Sequence, residues 1–327
     1  MTLQQLKYVI TVAETGTITE AANRLYVSQP SLTNAIHELE KEMNIVIFNR
    51  TNKGITLSKE GDDFLGYVRQ VLEQAAMVDD TYIVGKIGLT GEHSFVDHFR
   101  FAKALEDENT VAKQTIPSPA QFLAQFTMPF NRGYTEKYYP DEQELVNDIV
   151  AVYGKVIDDL YAAGCRNLQL DDCTWGMFAD NNNKVIANAP KDMIINTHVC
   201  RGNFHSTYAS EGAYDSVADI LFGEENVNAY FLEFDDERSS GFAPLTKVSG
   251  EKKVVLGLIT TKSPVLEDKQ LVIDRIHDAA KYIPLERLYL SPQCGFASCE
   301  IGNKLTEEEQ WAKLRLVKEV AEEVWGK

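Results

Sequence analysis

No stretch of the 327 residues approaches the ~20 consecutive apolar residues that a membrane-spanning helix needs. The N-terminus carries Gln4, Gln5 and Lys7 within an amphipathic pattern and lacks the apolar core of a signal peptide. Both absences argue against insertion and export, so the expected compartment is the cytoplasm. Cysteine is scarce. Five residues, an odd number widely spaced, do not make a disulfide framework and suit a reducing compartment. Repeats, low-complexity tracts and a Pro- or Ser-rich linker are all missing. Gly85, Gly88 and Gly91 do not follow the G-x-x-x-x-G-K-[ST] order of a phosphate loop and read as turns. There is no cationic excess either, since 32 Lys and Arg stand against 49 Asp and Glu, a net charge of −17. Residues 1–84 hold 7 of these cations against 11 acids, so most of the acid excess lies in the rest, where it reads as a solvated surface. That balance does not exclude nucleic acid, because only the docking face must be positive. Hydrophobic residues at 44% and charged residues at 25% exclude general disorder, and the length allows one large domain or two ordinary ones.

What is present centres on Asn196-Thr-His-Val-Cys-Arg-Gly202, which follows the apolar run Met193-Ile194-Ile195 and reads as the end of a buried strand. Side chains alternate across a strand, so His198 and Cys200 project from one face. An imidazole and a thiolate so placed make half of a tetrahedral zinc shell. An isolated H-x-C equally describes a buried His beside a buried Cys. Two later segments have the same construction. Val227–Glu233 is an apolar strand ending on a carboxylate, and Leu288–Gly295 is one ending on the thiol of Cys294. Strand ends bearing polar residues, separated by helices, are how a (β/α) barrel gathers a site. His198, Cys200, Glu233 and Cys294 together offer one nitrogen, two sulfurs and one oxygen.

From about Gly85 to the end, the chain resembles the catalytic barrel of cobalamin-independent methionine synthase. The matching pieces are Ala112–Pro119, Leu168–Asp172, the His198/Cys200 strand, Glu233 and Gln293-Cys294-Gly295. The resemblance implies that His198, Cys200, Glu233 and Cys294 bind Zn2+. It also implies that Asp171 holds the substrate amino group, and the neighbouring Asp172 is assigned to the same pocket. The implied reaction transfers a methyl group from a methylated folate to the thiol of homocysteine, giving methionine. Candidate strands are Ala112–Ile116, Asn167–Asp171, Met193–His198, Val227–Glu233, Lys253–Thr260 and Leu288–Leu290. Helices are expected at Asp141–Ala163, Ser216–Phe222, Leu266–Ile283 and Thr306–Val324. Six βα units fall short of the eight that close such a barrel. An incomplete α/β barrel with two open sheet edges and an exposed apolar interior is therefore expected. Cys165, Cys173 and Cys299 read as buried thiols, and His93, His98, His205 and His277 as ordinary polar residues. Trp175 and Tyr138-Tyr139 read as wall or core, or as a stacking surface for a flat ligand.

The first 84 residues have a different grammar. An amphipathic helix runs from Leu3 to about Glu14, and Gly16 ends it. Thr17 caps a short helix, Ile18–Leu25, and Ser28 caps a third whose buried stripe is Leu32, Ile36 and Leu39. Strands at Val46–Phe48 and Ile55–Leu57 bracket Asn49–Gly54, a polar turn with the cations Arg50 and Lys53. A further helix spans Lys59–Asp80. Short helix, tight turn and longer helix make a helix-turn-helix followed by a wing. Gln29 and Asn34 suit bidentate contact with adenine, Arg50 suits phosphate or a minor groove, and Pro30 and Thr33 lie on the same outer face. Ala21-Ala22 to Leu25, Ser28–Leu32, Phe48-x-Arg50 and Leu57–Gly61 resemble the winged helix-turn-helix of LysR-type regulators. That resemblance implies binding to duplex DNA as a homodimer paired through the Lys59–Asp80 helix.

The expected organisation is a DNA-binding module at residues 1–84 and a zinc barrel at 85–327. Two functions follow: a methyltransferase with a DNA-binding head, or a transcription regulator whose barrel senses a thiol amino acid or zinc without turnover. For the head, Asn34→Ala should relax base preference while Arg50→Ala should weaken all sequences alike, with a steep salt dependence. Gel-shift titrations on matched and scrambled duplexes at two salt concentrations check both.

Overall fold

Side-chain caps set the first helices. The computed structural model describes residues 3–25, 27–51, 54–80, 82–298 and 302–326. After α1 (Leu3–Thr15), the Thr17 side chain accepts from Glu20 N and starts α2 (Ile18–Arg24); Ser28 accepts from Ser31 N and starts α3 (Gln29–Met43). Leu6, Val9 and Val12 of α1 meet Ala21, Ala22, Leu32, Ile36 and Leu39 in one core. The alanines let α2 approach closely. Strand pairing begins at Phe48, later than the sequence pattern suggests, because the Glu40 carboxylate takes the N–H groups of Ile47 and Phe48 at 2.8 and 3.1 Å. Thus β1 (Phe48–Thr51) and β2 (Gly54–Leu57) form an antiparallel hairpin that pairs Phe48 with Leu57. The helix α4 (Lys59–Asp80) follows. Its first turn fits only a glycine at Gly61, where a Cβ would lie 2.1 Å from the carbonyl oxygen of Ile47.

The chain forms two compact units, Met1–Thr81 with Phe204–Ala209, and Tyr82–Asn203 with Ser210–Lys327. The larger unit contains α5 (Ser94–Lys103), β3 (Gln114–Pro117), α6 (Pro119–Thr127), α7 (Pro129–Tyr138), α8 (Glu142–Ala162), β4 (Asn167–Asp172), α9 (Ala179–Ile186) and β5 (Ile194–Val199). It continues with α10 (Ala218–Glu224), β6 (Ala229–Glu233), β7 (Lys253–Ile259), α11 (Lys269–Ala279), β8 (Leu288–Pro292) and α12 (Glu307–Trp325). Helix α11 is shorter than its apolar pattern because Asp268 caps it, accepting from Leu271 N. The six strands β3 to β8 make one parallel sheet in sequence order. Among the described residues β3 and β8 each have a single partner, so the wall stays open.

Strand parity divides the sheet. Leu168, Leu170 and Ile195 face outward into a core with Val156, Ile157, Leu160, Val96 and Phe99. Val254, Leu256 and Leu258 join Ile273, Ile276, Leu316 and Val320 in a larger one. The opposite face differs from the expected apolar interior. Lys113, Thr115, Gln169 and Asp171 line it with His198 and Phe231, so the open side of the wall is polar. No helix among the described residues is long and apolar enough to cross a membrane.

A buried polar knot fastens the C-terminal end of β4. Asn182 Oδ1 accepts from Ala120 N, while its Nδ2 donates to Asp172 Oδ2 and Glu225 Oε1, both at 2.8 Å. Burial, then the charge of Asp172, holds the Glu225 carboxyl up to about 8 against an ordinary 4.5. Between those values the unfolded chain releases this proton and the folded chain keeps it. Glu225 therefore makes stability fall as pH rises from about 4.5 to about 8. Glu225→Gln should remove that contribution, so thermal melts at the two ends of the window should differ less in Tm than those of the parent.

Candidate functional site

The outer face of α3 presents Gln29, Pro30 and Asn34 to solvent, with Thr33 half-buried beside them. Their partners across the helix, Leu32, Ile36 and Leu39, are buried. Arg50 is in β1, but its side chain and the whole of Lys53 lie outside the described residues, as do the side chains of 70–80 in α4 and all of Cys299.

In the larger unit, an open cavity of about 460 Å³ lies against the inner face of β3 and β4. Asp171, His198, Cys294 and Gln293 line it, together with Lys113, Thr115, Gln169 and Phe231. The acidic pair separates by strand alternation. Asp171 faces the cavity, its pKa raised chiefly by burial against the lowering charge of His198. Asp172 turns to the other face, where Oδ1 accepts from Thr174 N and Oγ1, both at 2.6 Å, and Oδ2 from Asn182. With its lone pairs so used, Asp172 positions the strand end and does not line the cavity. Lys113, Gln169 and Gln293 lie in the segments that carry the resemblance but were assigned no role from sequence, although parity from Asp171 leads back to Gln169. The aromatics belong to the cores. Trp175 stacks on Tyr214 at 5.4 Å, its Nε1 donates to the Cys200 carbonyl, and Tyr139 is buried with its hydroxyl on Asp148.

Four side chains converge beside this cavity, two of which, His198 and Cys294, line it. One donor atom from each of His198, Cys200, Glu233 and Cys294 falls within 4.8 Å of the others. His198 is the penultimate residue of β5, Cys200 follows that strand, Glu233 ends β6, and Cys294 lies just beyond β8. His198 Nδ1 sits 3.2 Å from the Phe231 carbonyl, and donation there leaves Nε2 bare. Indeed His198 Nε2 and Glu233 Oε2 are buried without a hydrogen-bond partner, and Nε2 lies 3.6 Å from Glu233 Oε1. The backbone N–H of Arg201 holds Glu233 Oε1 at 3.1 Å, and that of Gly202 donates to Cys200 Sγ at 3.3 Å.

Electrostatics favour a cation here. Hydrogen bonding from Cys200 pulls the Cys294 thiol well below its ordinary value; burial opposes this, and His198 assists it. Cys200 is raised correspondingly, first by its hydrogen bonds with Cys173 and Cys294. Burial would lower His198, but Cys294, Asp171 and Glu233 hold it up to about 9. Burial raises Glu233. Two sulfurs and a carboxylate crowded in this way are costly unless a positive charge sits among them. The orphaned Nε2 and Oε2 fit a metal of borderline softness such as Zn2+. Cys173, read from the sequence as a buried thiol, is exposed in the loop after β4, whereas Cys165 is buried as expected.

Gly257 lets Cys294 approach the other three donors. It faces Ser291 in the β7/β8 ladder, at a register shift, and a Cβ on it would lie 2.7 Å from Leu232 O and 2.8 Å from Gln293 Cα. Both neighbours are backbone and cannot rotate away. Gly257→Ala should therefore cost about 1–3 kcal/mol in urea unfolding and lower metal content by separating Glu233 from Cys294.

Residues 134–323 match the family described as the catalytic domain of cobalamin-independent synthase, and residues 3–62 match the bacterial regulatory helix-turn-helix proteins of the lysR family. YxjG of Bacillus subtilis (strain 168) is 42% identical over 259 residues, covering 71% of this chain and 66% of that protein. The chain thus spans about two thirds of that relative. A solved structure assigned to vitamin-B12 independent methionine synthase from Listeria monocytogenes is 37% identical, with a TM-score of 0.60, and covers 75% of this chain and 74% of its own. For the N-terminal part, the regulator TcbR of Pseudomonas sp. (strain P51) is 40% identical over 94 residues, 29% of this chain and 32% of that protein. With a parallel βα wall behind those matches and a helix-turn-helix ahead of it, the chain belongs to the cobalamin-independent synthase catalytic-domain family and carries an N-terminal helix-turn-helix domain of the lysR family.

Proposed function

We propose that the chain works as two modules divided near residue 84, a DNA-binding head and a zinc-dependent S-methyltransferase acting on homocysteine with a methylated folate as donor. The observation that carries the enzymatic reading is the convergence of His198, Cys200, Glu233 and Cys294, with two of their buried donor atoms lacking a hydrogen-bond partner. Zinc in such a shell, when bound, supplies the Lewis acidity that keeps a thiol in an open or exchangeable position deprotonated at neutral pH. The protein side chains do the rest. Asp171, half-buried and with its carboxyl raised, gains most from a substrate ammonium beside it, and that contact fixes the direction from which sulfur attacks. The Phe231 carbonyl orients His198, and the Arg201 N–H orients Glu233. Gln29, Pro30, Thr33, Asn34, Arg50 and Lys53 are proposed to contact duplex DNA, in a homodimer paired through α4.

The open six-stranded wall favours a second reading, in which the barrel senses a thiol amino acid or zinc and the head acts as a regulator without turnover. The two are separated by measuring zinc content and steady-state methyl transfer to homocysteine on the same purified full chain. The enzymatic reading expects about one zinc per chain and turnover well below that of a complete relative. Zinc and thiol binding without turnover would select the sensor. Substituting Cys200→Ser and Cys294→Ser together removes both soft ligands, and zinc content unchanged in that variant would defeat the metal assignment.

A further inference from the structure

The cavity beside the metal cluster holds a pair of opposite charges with no part in metal binding. Lys113, exposed just before β3, and Asp171, near the end of β4, both line it. Gln169 stands between them: its Oε1 accepts from Lys113 Nζ at 2.5 Å, and its Nε2 donates to Asp171 Oδ1 at 3.1 Å. The cation and the carboxylate are therefore spaced by one carboxamide instead of pairing with each other. An ammonium has three donors and a carboxylate several acceptor sites, so each end keeps capacity for a ligand.

Those two ends are the complements of an α-carboxylate and an α-ammonium. The same cavity reaches His198 and Cys294, where the sulfur of a bound thiol would lie. A second observation points to a polar occupant. Gln293 also lines the cavity and is 2% exposed; its Oε1 accepts from Thr261 Oγ1 at 3.0 Å, but its Nε2 is buried without a partner. Buried donors are nearly always satisfied, so this unpartnered amide beside the cavity is a donor that a polar occupant reaching it would satisfy.

Resting on the reading above that a thiol amino acid docks beside the metal, we propose that Lys113 recognises its α-carboxylate. It thereby makes the site selective for zwitterionic thiol amino acids over thiols that lack the carboxylate. Lys113 also lies 4.0 Å from the centroid of the Phe231 ring, so a purely structural role is the competing account. The two accounts differ in what they predict for a ligand without a carboxylate. A structural lysine, once removed, weakens every thiol alike, whereas a carboxylate-binding lysine affects only the amino acid.

The test uses the zinc-loaded full chain, titrated calorimetrically with L-homocysteine and with 3-aminopropane-1-thiol, which has the same thiol, chain and amine without the carboxylate. The parent should prefer homocysteine by roughly 10- to 100-fold, the range for a hydrogen bond between charged groups. Lys113→Met should erase that preference by weakening homocysteine alone, and Lys113→Arg should restore part of it. A preference that persists in a folded, zinc-replete Lys113→Met overturns the proposal. Equal binding of the two thiols by the parent overturns it as well, without need of any variant, and leaves thiol binding at the metal intact. A parent that binds neither thiol overturns the underlying enzymatic reading and this inference with it.

Discussion

Register across the parallel sheet is the constraint on which the site depends. Asp171 is paired with His198, and His198 with Phe231, while Glu233 is paired with Gly257 and Gly257 with Ser291. Because side-chain direction has a period of two, a slip of one residue in any of these ladders would turn a donor from the cavity into the helical layer. The outward residues Leu168, Leu170, Ile195, Val254 and Leu256 oppose such a slip, since it would bring them into the polar cavity. Apolar packing on one face thus aims the four converging donor groups on the other.

The same alternation divides labour between adjacent carboxylates. Asp171 is left available to a ligand, and Asp172 is spent on holding Thr174 and Asn182. Through Asn182 that bond ties β4 to Ala120 in α6 and to Glu225 after α10. The loop carrying Cys173 and Trp175 is thereby anchored at its root. In the smaller unit Glu40 plays a comparable part, turning a carboxylate to two backbone N–H groups and deciding where the hairpin begins.

Much of this was legible from residues alone. Period-two apolar runs ending on His, Cys or Glu located β5, β6 and β8 and, with them, the four donors. The Thr17 and Ser28 caps located α2 and α3. What escaped notice was short or depended on distant partners. Helices α6, α7 and α9 are short, and α6 and α7 open on prolines. The polar lining of the wall was mistaken for an apolar interior, because Lys113 and Gln169 sit among residues whose burial depends on which strands are present. The fate of Asp172 depended on Asn182 and Glu225, respectively ten and fifty-three positions along the chain, and no local pattern reveals such partners. The exposure of Cys173 follows from a loop in which Trp175 adopts a positive φ of 56°, a conformation its residue type does not announce.

The partner that orients His198 is the carbonyl of Phe231, and a carbonyl belongs to every residue type. Point mutation at position 231 can change the ring above the cavity without deleting the acceptor that selects the imidazole tautomer. The imidazole is therefore insulated from drift in its neighbour's identity, unlike sites where a carboxylate side chain performs that task. Evolution is free to vary this position while the unpartnered His198 Nε2 stays presented to the cluster. Loss of orientation requires instead an insertion or deletion that shifts one strand against the next.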